Sequence, residues 1–243
     1  MTRTASLATA HTPLRRRTLT GAAAAVLAAA AAVAGAGSAS AADAPHGVDL
    51  SHYNATADVS GEDFVIAKAT QGTDFEDPKF DKITDNARDE GAVTGAYHFA
   101  APDESGGAEQ ARYFVEHGGD WTDDGKTLPG ALDLEGETCY GKSQKEMKNW
   151  VSDFADEYKK LTDRDVIIYT AGGWWDKCTG GTDAFADTNP LWVANYTEEP
   201  GNVHTMPKGF DTWTIHQYTT TNETLDQDVI NGDKDTLKRL VEG

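Results

Sequence analysis

Two acidic residues, Asp133 and Glu135, stand two positions apart within a short apolar run of the chain. Side chains two residues apart on a β-strand point the same way, about 6–7 Å from each other, so both carboxyl groups would face one space. Burial and like charge would then raise the pKa of at least one of them. Such a pair can supply a protonated acid and a carboxylate at the same pH, as glycosidic-bond hydrolysis requires. Acids at a solvated strand edge show the same pattern, and the spacing alone does not separate the two interpretations.

Eight short apolar runs can provide the strands that would position this pair. They span residues 48–53, 64–71, 93–100, 130–135, 166–171, 191–197, 212–218 and 225–230. Most are continuous, as is typical of strands buried on both faces, and helical patterns lie between several of them. Strands that alternate with helices predict a parallel sheet, and eight strands in about 200 residues predict a small β/α barrel. The links after residue 171 look like loops, so we expect the last strands to lack full crossover helices.

Three segments between these runs predict helices. Asp77-Pro78 would provide an N-cap and a first helical residue, and Gly91 would end that helix. A second, shorter helix is expected over residues 105–117. The segment Ser143-Gln-Lys-Glu146 forms a capping box at the start of a third helix. That helix carries an apolar stripe, expected to face the core, made of Met147, Trp150, Val151, Phe154 and Tyr158.

Active residues of a β/α barrel lie at the carboxyl ends of its strands. The acids that meet this condition are our catalytic candidates, namely Asp49, Asp133, Glu135 and Asp226. Aromatic and amide side chains at similar positions are candidates for substrate binding, namely Tyr97, Tyr169, Trp192, Tyr196 and Gln217. Acids surrounded by aromatic rings predict a carbohydrate cleft, because sugar faces are apolar while sugar hydroxyl groups need polar partners. His52 and His98 beside the strands fit either a structural role or a ligand contact.

The first 42 residues have the pattern of an export signal. Arginines at positions 15–17 precede an Ala-rich apolar stretch over 21–35, and small residues at 38–42 offer cleavage sites. We therefore expect a secretory signal peptide over 1–42, a single catalytic domain over 43–243 and an extracellular protein. The arginine pair at 16–17 also fits a twin-arginine signal, so two export routes stay open. A transmembrane anchor is the alternative, but the strongly apolar stretch is short for one.

The formal net charge of −19 limits the partners of the chain. Loss of the leader, which holds four arginines and no acid, would make the charge about −23. An acidic chain is a poor binder of nucleic acid, so we expect no nucleic-acid partner. The sequence has neither a nucleotide-binding loop nor a cluster of metal-ligating residues, so we expect no cofactor and no metal. A monomer without membrane contact is the default expectation for the mature chain.

The chain has two cysteines, Cys139 and Cys178. A disulfide bond is the first interpretation in an exported protein, because such bonds persist outside the cytosol. The bond would close a long loop and stabilise the fold by about 2–4 kcal/mol. Two isolated thiols do not have the spacing of a metal site.

Taken together, the motifs resemble the lysozymes of glycoside hydrolase family 25, the N-acetylmuramidases of the Chalaropsis type. Typical segments are His46-Gly-Val-Asp-Leu-Ser-His-Tyr53, Leu128-Pro-Gly-Ala-Leu-Asp-Leu-Glu135 and Leu225-Asp-Gln-Asp228. Further matching segments, in chain order, are 64–72, 95–100, 165–170, 191–195 and 212–218. The similarity thus covers the whole expected mature chain. The segments that begin at Cys139 and Cys178 also resemble the disulfide pair of the Streptomyces members.

The resemblance implies an irregular (β/α)5(β)3 barrel, a TIM-like α/β fold, that acts on bacterial peptidoglycan. The implied reaction is hydrolysis of the β-1,4 bond between N-acetylmuramic acid and N-acetylglucosamine, with retention of configuration. Glu135 would be the general acid, and Asp133 would assist the substrate's N-acetyl group as that group attacks the anomeric carbon. Asp49 and Asp226 would complete the acidic cluster.

The resemblance also assigns residues around the substrate. Tyr97 and Tyr169 would line the subsite of the muramic acid. Lys68, which we assign to substrate binding, opens the segment Lys68-Ala-Thr-Gln-Gly72, in which the family usually has Glu at the position of Gln71. An amide there removes one negative charge and can donate a hydrogen bond. We therefore expect an altered pKa pattern near the acids and an effect on the pH optimum.

Two other functions compete with this one. A chitinase-like barrel glycosidase also uses the acetamido group of its substrate, but its D-x-E motif ends a longer ladder of acids. Gly, Ala and Leu occupy positions 130–132 here, so the ladder is absent. A catalytically inactive barrel that binds cell walls comes from a different class of protein. The four acids argue against it, and wall binding without lysis would identify it.

The acidity of the chain leads to a prediction about ionic strength. A protein with a net charge of about −23 is repelled by an anionic cell wall, and salt screens this repulsion over a Debye length of about 10 Å at 0.1 M. We expect wall-lytic activity to rise from low to physiological salt, measured as the rate at which a wall suspension loses turbidity. A flat or falling rate over that interval would contradict the prediction.

Overall fold

The structure is a computed structural model that describes residues 44–221 and 225–242 of the 243-residue chain. The expected signal peptide, residues 1–42, lies outside the described residues. Within the described ranges, every helix is too short or too polar to span a lipid bilayer.

The strands in the described residues are β1 His46–Leu50, β2 Phe64–Gln71, β3 Phe75–Glu76, β4 Val93–Phe99, β5 Ala131–Leu134, β6 Ile167–Ala171, β7 Leu191–Ala194, β8 Ile215–Thr221 and β9 Leu225–Ile230. Eight of them close into a barrel in the order β1, β2, β4, β5, β6, β7, β8 and β9, and β9 pairs back with β1. Each of the eight apolar runs overlaps one barrel strand, and the two-residue β3 pairs with β2 outside the barrel. The predicted irregular α/β barrel is therefore confirmed.

The direction of the last strand differs from the fully parallel sheet that the alternation of strands and helices predicted. Neighbouring strands from β1 to β8 are parallel, whereas β9 is antiparallel to both β8 and β1. Only the residues at 222–224 separate β8 from β9 in the sequence. A connection this short can join antiparallel strands, whereas a parallel pair needs a crossover of a dozen residues or more.

Four α-helices lie in the crossovers between parallel strands, and a fifth follows β9. They are α1 Phe80–Asp89, α2 Gly107–Phe114, α3 Gln144–Thr162, α4 Gly172–Thr179 and α5 Lys234–Glu242. The segment Val115–Gly119 continues α2 and leaves the helical conformation at His117 and Gly118. Residues 51–63, between β1 and β2, form turns, and residues 195–214, between β7 and β8, form an irregular loop. The expected crossover without a helix is thus found after β7. The expected loop after β6 is wrong, because α4 begins directly at Gly172.

The predicted start of α1 needs a correction. The helix begins at Phe80, and Lys79, not Asp77, precedes its first turn. The Asp77 carboxylate instead accepts hydrogen bonds from the Lys79 N–H and from the backbone N–H of His52 in the loop after β1. It also pairs with His52 Nδ1 at 2.7 Å. A carboxylate can accept several donors, so this acid joins two loops and does not cap one helix. The end of the helix agrees with the prediction, since Gly91 adopts a positive φ of 87° just beyond it.

The side chains of β5 alternate between two apolar clusters. Ala131 packs with Ile167 and other strand residues inside the barrel. Leu132 and Leu134 pack outward with residues of α2, α3 and α4. The capping box and the buried stripe predicted for α3 are both present and form the helical side of this outer cluster. Because alternate residues of a strand share one face, Asp133 lies on the inner side with Ala131.

The Tyr158 hydroxyl anchors the start of β5. It accepts a hydrogen bond from the Gly130 N–H at 2.6 Å and donates one to the Gly119 carbonyl at 3.1 Å. The side chain is fully buried. The stripe of α3 therefore fixes the strand that carries Asp133 through a polar contact as well as by apolar packing.

Replacing Tyr158 by phenylalanine tests this anchor. Tyr158→Phe leaves the buried Gly130 N–H without its acceptor, so we expect the free energy of unfolding to fall by about 1–3 kcal/mol in urea titrations. Tyr53→Phe is the matched control, because the Tyr53 side chain is 84% exposed and its change is expected to be near zero. Equal effects of the two substitutions would contradict the assigned role.

Candidate active site

The ends of the barrel strands surround a cavity of about 150 Å³. Its lining consists of Asp49, Tyr97, Asp133, Glu135, Tyr169, Trp192, Tyr196, Gln217 and Asp226. The structure thus brings together all four acids that we singled out and five of the six candidate substrate-binding residues. The sixth, Lys68 on β2, is buried beside the cavity, and its charge acts on Asp133 and Glu135.

The strand directions explain how these side chains meet. Glu135 directly follows β5, at the carboxyl end of a parallel strand, as expected. Asp226 reaches the same end of the barrel by the opposite route, because β9 runs antiparallel and Asp226 lies near its amino end. The register places Asp226 opposite Asp49 of β1. Asp226 therefore lines the cavity, but from a strand that runs opposite to the direction that the carboxyl-end rule assumes.

Gln217 is the centre of a hydrogen-bond network within the cavity. Its Nε2 donates to Asp49 Oδ2 at 2.8 Å. Its Oε1 accepts hydrogen bonds from the hydroxyl groups of Tyr169 and Tyr196, both at 2.8 Å. Because both ends of the amide are used, the network fixes the orientation of Gln217 and aims a donor at Asp49. The Tyr196 hydroxyl also lies 3.5 Å from Asp226 Oδ1. Tyr196 is 58% exposed, at the mouth of the cavity.

Burial and mutual repulsion shift the pKa values of the acids upward. Burial, then the charge of Glu135, raises the pKa of Asp133 well above its usual value. Burial, then the charge of Asp226, raises the pKa of Asp49 to about 7. The same two causes raise the pKa of Glu135, and Lys68 opposes them. Groups that interact this closely titrate as a set, so the site retains protons at pH values where free carboxyl groups are ionised.

Lys68 supplies positive charge to this cluster from an unusual environment. Its Nζ lies 4.7 Å from the ring centre of Phe99 and 5.4 Å from that of Phe75. It donates a hydrogen bond to Gln71 Oε1 at 2.8 Å. Gln71 is a neutral partner, so it does not cancel the charge that Lys68 directs at Asp133 and Glu135. Position 71 is therefore connected to the acids through Lys68.

The loop that follows Glu135 is fastened at several points. The Tyr140 hydroxyl donates to the Glu135 carbonyl at 2.9 Å. The next residue back, Cys139, forms the predicted disulfide bond with Cys178 of α4. Trp174 of the same helix donates its indole N–H to the Thr138 carbonyl at 3.2 Å. The helix that the sequence did not predict thus holds the segment that carries Glu135, and Tyr140 is a positioning residue without a signal in the spacing of the acids.

His52 and His98, the two histidines considered in the sequence analysis, both form hydrogen bonds within the protein. His98 is fully buried, 2.7 Å from Thr70 Oγ1 and 2.9 Å from Gln110 Oε1. Burial lowers the pKa of His98 to about 4, so it is neutral under ordinary conditions. His52 pairs with Asp77, as described above. Neither of them lines the cavity.

Asp228 is an acid of the site that the sequence did not single out. It is fully buried, and its Oδ1 accepts a hydrogen bond from Trp192 Nε1 at 2.8 Å. Its position two residues after Asp226 on a strand was the available signal, because such a spacing puts both acids on one face. Apolar residues flank Asp133 on both sides, whereas Asp228 follows a polar residue, Gln227, so the sequence gives a weaker signal for its burial.

Known proteins with the same sequence pattern and fold agree with this geometry. Residues 48–227 match the sequence profile of glycosyl hydrolases family 25. Lysozyme M1 of Streptomyces globisporus is 41% identical over 209 residues, which cover 80% of this chain and 70% of that protein. An N,O-diacetylmuramidase of Chalaropsis sp is 42% identical over 216 residues, which cover 81% and 99%.

A solved structure shows the same relation in three dimensions. A muramidase from Trichobolus zukalii superposes with a TM-score of 0.78 at 42% identity, covering 82% of this chain and all of that one. The extent of these matches, together with an acid-lined cavity at the expected end of the barrel, shows that the chain belongs to glycosyl hydrolases family 25.

Proposed function

We propose that this glycoside hydrolase is a secreted 1,4-β-N-acetylmuramidase, a lysozyme that cleaves the bond between N-acetylmuramic acid and N-acetylglucosamine in bacterial peptidoglycan. Family membership supports the reaction class, and relatives that carry the names lysozyme and N,O-diacetylmuramidase support the substrate. Glycan strands of the wall would then be the partner of a monomeric enzyme. The leader pattern at 1–42 and the disulfide bond support export.

One observation supports the use of the N-acetyl group. Asp133 Oδ1 is buried and has no hydrogen-bond donor among the described residues. An unsatisfied buried oxygen is unfavourable, so a ligand N–H at this point would stabilise the complex. The acetamido group of an amino sugar carries such an N–H. The new hydrogen bond would also favour the charged form of Asp133 and lower its pKa when substrate binds.

Glu135 supplies the proton in this proposal. Glu135 is half-buried at the cavity wall, and burial together with the charge of Asp226 raises its pKa, which favours the protonated form. As the acetamido oxygen bonds to the anomeric carbon, the bond to the leaving O4 breaks and Glu135 protonates that oxygen. Water then opens the intermediate, returns a proton to Glu135 and leaves the product with retained configuration.

The remaining cavity residues stabilise and position the sugar. Asp49 and Asp226 would place negative charge near the anomeric carbon as it becomes electron-poor. The rings of Tyr97, Tyr169 and Tyr196 would offer apolar faces and hydroxyl groups to the sugar. These contacts are supplied by the lining itself, with Gln217 holding two of the three tyrosines in place.

A digest of purified peptidoglycan tests the proposal. The wild-type protein is expected to release fragments with new reducing ends on muramic acid, identified by mass spectrometry after reduction. Glu135→Gln should lower the rate by about 10²-fold or more, because a general acid contributes that much. Glu137→Gln, an exposed glutamate of the same loop, is the control and should retain activity.

The possible outcomes separate the competing functions. Reducing ends on glucosamine would place the cleavage at the other glycosidic bond. Undiminished lysis by Glu135→Gln would remove Glu135 as the acid. Tight wall binding without any product would identify an inactive binding barrel.

Gln71→Glu is expected to change the pH dependence in a defined direction. A carboxylate beside Lys68 offsets the ammonium charge that holds down the pKa of Glu135. The pKa of the acid should therefore rise, and the alkaline limb of the kcat/KM profile on soluble glycan fragments should move up by about one pH unit. Gln71→Met, which adds no charge, should leave the limb near its wild-type position. A downward shift in Gln71→Glu, or equal shifts in both variants, would show that this charge path is absent.

A further inference from the structure

The deepest acid of the cluster has an unsatisfied oxygen. Asp228 has no solvent exposure, and Trp192 Nε1 satisfies its Oδ1. Its Oδ2 has no hydrogen-bond donor among the described residues. A buried carboxylate with a free oxygen is strongly unfavourable, so an ionised Asp228 does not fit this position.

The neighbour of Asp228 is another carboxyl group. The Asp228 and Asp49 side chains are close enough to form a hydrogen bond with each other. The sheet register makes them diagonal neighbours on one face, because Asp228 lies opposite Gly47 of β1, two residues before Asp49. Two carboxylates can only accept hydrogen bonds, so this contact is favourable only when one of them carries a proton.

The surroundings decide which of the two holds the proton. Asp49 faces the cavity and already accepts a hydrogen bond from the Gln217 amide, which favours its ionised form. Asp228 faces away from solvent, and burial, followed by the charge of Asp49, raises its pKa well above the usual value. The titratable groups that face this pair or its neighbours are Lys68, Tyr97, Asp133, Glu135, Tyr169, Tyr196, Tyr218 and Asp226. Lys68, the cation in this set, acts on Asp133 and Glu135, so it leaves Asp228 without a neutralising charge.

We propose that Asp228 is a positioning residue that stays protonated and donates its proton in a hydrogen bond to Asp49, thereby holding an ionised Asp49 at the floor of the cleft. The assignment rests on the proposed muramidase function and deepens it. Asp49 would then receive two donors, the Gln217 amide and the Asp228 hydroxyl, at the point where the reaction needs negative charge. Trp192 contributes by fixing the other oxygen of Asp228.

Two substitutions at position 228 distinguish a protonated Asp228, which acts as a hydrogen-bond donor, from an ionised Asp228, which would act through its charge. Asp228→Leu keeps the number and branching of the side-chain heavy atoms but removes the donor, so ionisation of Asp49 becomes harder. We expect the acidic limb of the kcat/KM profile to move up by about one to two pH units, with little change in KM above that limb. Asp228→Asn can accept from Trp192 and donate to Asp49, and it should restore the limb to its wild-type position. Failure of Asp228→Asn to restore it, or an unmoved limb in Asp228→Leu, would overturn the assignment.

A spectroscopic measurement determines the protonation state of Asp228 independently of activity. The infrared difference between the wild-type protein and Asp228→Asn at mildly alkaline pH should contain the carbonyl band of one protonated carboxyl group. Absence of that band would overturn the proposal even if both proteins were active. Absence of wall hydrolysis by the wild-type protein would instead contradict the muramidase function and leave the band to report on Asp228. If Asp228→Leu fails to fold, as judged by thermal unfolding, the band and the Asp228→Asn profile still decide the outcome.

Discussion

Carboxyl groups crowded into one end of a closed barrel are the constraint on which the rest of this structure depends. Five of them lie together, namely Asp49, Asp133, Glu135, Asp226 and Asp228, with the ammonium group of Lys68 nearby. Each added negative charge makes the next ionisation harder, and burial raises the energy of every charge. Protons therefore stay in the cluster, and the hydrogen-bond donors around it determine where they reside.

The barrel supplies those donors from strands that are far apart in the sequence. Gln217 of β8 serves Asp49 of β1, and Trp192 of β7 serves Asp228 of β9. Closure of the sheet makes these contacts possible, because it brings the first strand beside the last. An open sheet would leave β1 and β9 at opposite edges, and their acids would face water. The same closure removes exposed strand edges, so the fold gains protection from edge pairing together with a site.

The sequence predicted the site better than it predicted the elements that build it. Asp133 and Glu135 were visible because apolar residues surround them, and the strand period places both on one face. The helix α4 was missed because Gly172 and Gly173 open it, and glycines weaken a helical pattern. Asp228 was missed because the alternation along a strand predicts only which face a side chain lies on. How deeply Asp228 is buried depends on the neighbouring strands β1 and β8, which are distant in the sequence. The antiparallel direction of β9 follows from its short connection to β8, because so short a link can join only antiparallel neighbours. The sequence alone does not show that these two strands are neighbours.

The disulfide bond ties catalytic geometry to the compartment in which the protein resides. The strands of the barrel are joined by hydrogen bonds, which do not depend on redox potential. The Cys139–Cys178 bond, which holds the loop after Glu135, forms only in an oxidising environment. The other ties on that loop are hydrogen bonds, from Tyr140 to the Glu135 carbonyl, from Trp174 to the Thr138 carbonyl and from Lys177 to the Glu137 carbonyl. Reduction of this bond would thus leave the hydrogen bonds of the barrel in place and remove one of the ties on the segment after Glu135. The geometry around the acid therefore depends on the redox state of the surroundings in a way that the barrel itself does not.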